Sequence, residues 1–100
     1  MGIQKNAGQI FHLLYDKYSK NEKINPEILL EETKLEGNDA DKAIKYLKDR
    51  DLIEIILTLG NIKGLQYFIF KKITPEGIKI AENDKNFIEE FGINPKEIKF

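Results

Sequence analysis

The side chains able to do chemistry are few, and their spacing does not assemble them. His12, Asp16 and Ser19 are the residue types of a nucleophilic triad. Their separations place them on successive turns of one expected helix, with nothing to hold a substrate or an oxyanion. A surface His–Asp pair is the plainer reading. Glu31–Glu32 and Glu89–Glu90 are adjacent acids on expected helices, where neighbouring side chains diverge, so neither pair makes an acid–base or metal site. With a single His and no Cys, a transition-metal site is not expected. The Gly60–Gly64 segment joins two apolar runs and lacks the spacing of a phosphate-binding loop. The expectation is a chain that is not an enzyme and carries no metal or cofactor.

Composition points the same way. At 100 residues, 41% hydrophobic and 33% charged, the chain suits one domain with a real core and a charged surface. The absence of Cys fits a reducing compartment, and no apolar run approaches the roughly 20 residues of a membrane span. A cytoplasmic location without membrane association is the expectation. Sixteen basic against 17 acidic residues give a net charge of -1, and Arg50 is the only arginine. A nucleic-acid binder usually shows a basic excess, so any such role must rest on local charge and fold.

The elements that must position these residues follow from periodicity. Ala7, Ile10, Phe11, Leu14 and Tyr18 recur at helical steps and predict a first helix from about Ile3 to Ser19. Asn25 as cap and Pro26 at the first position predict a second, short helix to about Leu35, stapled by Ile24 and Leu29. Asn38 or Asp39 is expected to cap a third helix whose inner stripe is Ala40, Ala43, Ile44 and Leu47, with Lys42, Lys45, Tyr46 and Asp49 pointing outward. The turn before it, Glu36-Gly37-Asn38, is short and contains glycine. Beyond Arg50 the chain becomes strand-like. Leu52–Leu59 and Leu65–Ile73, separated by Gly60–Gly64, read as a β-hairpin with apolar residues on both faces. Thr74-Pro75 starts a last helical stretch, one long helix or two short ones, that ends at Gly92. Asn94-Pro95 is placed to cap one final turn.

The order helix, helix, turn, helix, hairpin, helix resembles that of the winged helix-turn-helix superfamily. The stretch Asp41 to Glu54, DKAIKYLKDRDLIE, looks like its recognition helix entering the first wing strand. Ile73 to Glu82, ITPEGIKIAE, resembles the L/I-T-x-x-G entry to the last helix in MarR-like, PadR-like and YjcQ-like small winged helix proteins. The likeness spans roughly Ile10 to Phe91. Asp51 stands where many relatives have glycine, a change that Asp tolerates in the left-handed region. The resemblance implies a mostly helical α+β fold: a three-helix core with a β-hairpin wing over residues 7–82, and a C-terminal helical extension over 83–100.

Carried onto this chain, the family's DNA-reading positions are Asn38, Lys42, Lys45 and Tyr46 on the third helix, and Asn61 and Lys63 at the wing. The alternative for the helix is a solvated face, since Asp39, Asp41, Asp49 and Asp51 balance Lys42, Lys45, Lys48 and Arg50. The alternative for the wing is a turn chosen for its backbone geometry. Leu13, the off-stripe Phe87 and the terminal Ile93, Ile98 and Phe100 read as apolar residues in excess of the core, and Leu13, Phe87, Phe91 and Phe100 are the expected dimer contacts. The resemblance implies a homodimer through the first and last helices; a C-terminal segment folded onto its own core is the other reading. Two functions remain. One is a small homodimeric transcriptional regulator bound to double-stranded DNA; the other is a winged helix protein–protein interaction module without nucleic acid.

Overall fold

The computed structural model describes residues 2–100. Its element order is α1 (Ile3–Ser19), α2 (Pro26–Thr33), α3 (Gly37–Asp49), β1 (Ile53–Ile62), β2 (Leu65–Ile73), α4 (Pro75–Ala81) and α5 (Asp84–Phe91), followed by a 3-10 turn at Pro95–Glu97. The fold is α+β and mostly helical, with one two-stranded antiparallel sheet. No described helix is long and apolar enough to cross a membrane.

The expected caps operate at α2 and α4, and Asn83 adds one at α5 that the sequence reading did not name. Asn25 Oδ1 accepts from the Ile28 N–H, Thr74 Oγ1 from Gly77 and Asn83 Oδ1 from Asn86, which satisfies one otherwise unpaired donor at each N-terminus. The Asn83 cap answers the question left open by periodicity: the last helical stretch is two helices, with the break at Glu82–Asn83. Asn94 likewise caps the final turn through Lys96 N–H.

The third helix departs from expectation. It begins at Gly37, after an N-cap at Glu36 that has no side-chain cap bond, and the preceding turn is Lys34–Leu35–Glu36. Lys34 takes a left-handed φ of 61° and closes α2 two residues early. Asn38 does not cap, because its side chain packs against Gly64 of the hairpin turn. Gly37 is needed there for close approach: a Cβ at this position would collide with the backbone carbonyl of Lys63.

The hairpin is longer and more irregular than the alternation predicts. Its register pairs Ile53 with Ile73, Glu54 with Lys72, Ile56 with Ile69 and Leu57 with Phe68, then resumes at Asn61–Gln66 and Ile62–Leu65. The turn proper is only Lys63–Gly64, both at positive φ (56° and 100°), as a tight two-residue hairpin loop requires. Gly60 therefore lies in a bulge, Thr58–Gly60, opposite Tyr67. Asp51 adopts φ 60°, as its place at the helix–strand junction requires.

One core unites these elements around α1, which packs against α2, α3, α5, β2 and the final turn. Phe11 is fully buried, with its ring centroid 5.3 Å from Phe91 and 6.2 Å from Phe87, and those two rings are 4.8 Å apart. Gly8 lets α5 close on α1, since a Cβ there would stand 2.8 Å from Phe91 Cβ. Residues 83–100 are thus not an appendage to a core formed by 7–82; they supply two of its largest side chains.

Candidate nucleic-acid interface

The outward side of α3 is the first surface to test. Asn38 and Lys42, one turn apart, are exposed, and the hairpin turn brings exposed Lys63 beside Gly37. These three side chains gather at one corner where α3 starts. Asn61 is also at the turn, but its Oδ1 accepts from Gly64 N–H at 3.2 Å, so this side chain shapes the loop.

The remaining expected contacts are occupied. Lys45 Nζ lies 2.9 Å from Asp41 Oδ2 on its own helix. Asp41 Oδ1 accepts from the Gln66 N–H on β2 at 3.0 Å, so this carboxylate ties α3 to the hairpin and neutralises Lys45 at once. Tyr46 does not face outward alone. It is half-buried, its hydroxyl lies 3.3 Å from Glu90 Oε2 on α5, and the Arg50 guanidinium sits over its ring at 4.8 Å. Arg50 Nε is 2.7 Å from the same Glu90 oxygen. The hydrogen bond with Tyr46 and the charge of Glu90 raise the Arg50 pKa further. Spacing along α3 alone could not reveal this cluster, because its anchor, Glu90, lies 44 residues beyond Tyr46.

Carboxylates also fringe the start of α3. The shallow groove between α2 and the hairpin turn is lined by Glu27, Glu31 and Glu36, against Lys34 and Lys63. In such a setting a phosphate backbone meets as much repulsion as attraction.

The expected dimer surface requires a correction. Leu13 is 2% exposed, Phe87 1% and Phe91 0% within the single chain. The reason is that α1 is enclosed on several sides, so a residue off its main stripe is still covered, and α5 turns both rings onto Phe11. Only Phe100 keeps an exposed face, and its ring leans on His12 at 6.2 Å.

His12 belongs to that packing and not to a triad. Its ring meets Phe87 edge-on at 6.3 Å, and Ser19 Oγ donates to the backbone carbonyl of Asp16. Desolvation lowers the His12 pKa from 6.5, with Asp16 opposing the shift.

Sequence reasoning missed a different surface, the outer face of the hairpin. Ile56 (47%), Tyr67 (37%) and Ile69 (51%) stay exposed there, and Leu59 in the bulge is 96% exposed. The signal was present as apolar residues on both strand faces, more than a half-buried sheet needs. No protein-family model, no curated protein and no solved structure matches the chain.

Proposed function

We propose that this chain is a winged helix that acts as a protein–protein interaction module and does not read DNA. The element order, the compact turn before α3 and the hairpin beside its first turn support the winged helix assignment. The observation that carries the functional reading is the capture of Lys45 on α3, and of Arg50 just beyond its end, by carboxylates. Asp41 holds Lys45, Glu90 holds Arg50, and Glu27, Glu31 and Glu36 line the approach. DNA affinity depends on basic groups displacing the counterions of phosphates, and each captured cation is one fewer to do so. Apolar side chains stand uncovered on the hairpin instead, the usual mark of a contact surface for protein.

A regulator bound to double-stranded DNA is the second reading. It is favoured by the corner where Asn38, Lys42 and Lys63 are exposed together, with no ion pair to either lysine among the described residues. A gel-shift titration on random and genomic fragments, run from ~50 to ~200 mM salt, separates the two. The interaction module leaves DNA unshifted even at the lowest salt. Retardation that weakens steeply with salt, and disappears in Lys42→Glu plus Lys63→Glu, would establish the regulator in its place.

A further inference from the structure

We infer that the outer face of the β1–β2 hairpin binds a second copy of this chain, face to face about a twofold axis parallel to the strands. The inference rests on the interaction-module reading and names its partner. The outer face presents two cross-strand pairs in register, Glu54 opposite Lys72 and Ile56 opposite Ile69, with Tyr67 beyond them. Inner-face neighbours Ile53, Ile55, Phe68 and Ile73 are buried in the core, so the alternation is clean apart from the Thr58–Gly60 bulge and a second register shift between Glu54 and Ile55, where Lys71 is the extra residue between the two pairs.

Charge complementarity points to self-association. A twofold axis running along the strands, between two stacked sheets, exchanges the positions of β1 and β2. It sets Glu54 of each copy over Lys72 of the other, and Ile56 over Ile69. Both ionic contacts are attractive and the apolar centre meets its own chemistry, which is the condition for an isologous contact. Within one chain the Glu54–Lys72 pair is loose, 4.0 Å apart with both side chains about half exposed, so each group has freedom to engage across the interface. Tyr67, whose ring would lie 3.1 Å from a Cβ on Gly60, extends the apolar area at the far end, whereas Leu59 in the bulge lies toward Asp41 and Lys45 of α3.

The size sets the strength. The exposed apolar side chains of Ile56, Tyr67 and Ile69 amount to on the order of 300 Å² per copy, the size of the largest patch on an ordinary monomer, which often serves as a contact surface. Two copies together would bury less than a standard interface of about 1,600 Å², so the dimer is reversible and forms at high concentration.

Sedimentation equilibrium of the full chain from ~10 µM to ~1 mM tests the inference. The apparent mass rises from the 11.6 kDa of one chain toward twice that value. Ile69→Glu holds it at the monomer value, and circular dichroism verifies that this exposed substitution leaves the fold intact. Glu54→Lys alone and Lys72→Glu alone each weaken association by about tenfold, because each creates two like-charge contacts. An equimolar mixture of these two variants associates again, since each then offers the charge that the other lacks. A mass that stays monomeric at ~1 mM overturns the inference, as does association indifferent to Ile69→Glu or a mixture that fails to recover. The DNA titration reports separately on the reading beneath it. A protein that doubles its mass yet retards DNA sinks that reading and leaves the contact standing, whereas a monomer that ignores DNA sinks the contact alone.

Discussion

Replacing Phe91 with alanine separates a core ring from an interface ring. Phe91 is fully buried inside one chain, 5.3 Å from Phe11 and 4.8 Å from Phe87 by ring centroids, and its Cβ is pressed against Gly8 of α1. Truncation removes the transfer energy of a whole ring and leaves a cavity that two remaining rings and a helix backbone cannot readily close. Such substitutions cost about 3–5 kcal/mol. Domains of this size hold only about 5–15 kcal/mol in total and lose roughly 4–8 °C of Tm per kcal/mol, so Phe91→Ala should melt about 12–40 °C lower or fail to fold at all. Urea unfolding followed by circular dichroism, at ~5 and ~100 µM protein, measures the loss and its concentration dependence. Phe100→Ala is the control, and its half-exposed ring limits the cost to about 1 kcal/mol. A Phe91→Ala penalty below about 1 kcal/mol would refute the packing argument. So would a penalty that shrinks on dilution, because the ring would then act between chains.

Two further outcomes follow from local geometry. Thr74 Oγ1 both caps α4 through Gly77 and donates to the Asp51 carbonyl at 2.6 Å, so Thr74→Ala should cost about 1–2 kcal/mol in thermal unfolding, while Thr74→Ser recovers most of it. His12 is held below its ordinary pKa of 6.5 by desolvation, so the unfolded chain takes up a proton as pH falls through 6.5 while the folded chain does not. Stability contributed by neutral His12 is therefore complete above pH 6.5 and declines below it. An NMR titration midpoint at or above 6.5, or an unchanged pH slope in His12→Gln, would contradict this.

Much of the architecture was legible from local pattern. The limits of α1, the Asn25 and Thr74 caps, and Pro26 and Pro75 at first helical positions all depend on residues within one turn of each other. Backbone chemistry at short range is what sequence spacing encodes, and the same holds for Asp51 in its left-handed conformation. The N-cap of α3, Glu36, lies two or three residues before the expected Asn38 or Asp39 cap because Gly37 and Asn38 serve the hairpin turn, a contact across 26 residues that no local cap rule contains.

The candidate surface was less legible for the same physical reason. That Lys42 and Asn38 share an outward face is a matter of helical period, and this much is in the sequence alone. Whether a lysine is free is decided by carboxylates that arrive from elsewhere. Tyr46 and Arg50 are claimed by Glu90 on α5, and Asp41 is fixed over Lys45 by a backbone N–H from β2. Burial was likewise settled by assembly. By stripe position alone Leu13 and Phe87 are surplus, and enclosure of α1 by α2, α3 and α5 makes them core together with Phe91. The amino-acid sequence determined which elements form and which way their stripes face. Only the tertiary structure decided which charges are spent internally and which apolar face is left open, because both depend on pairings between residues far apart in the chain.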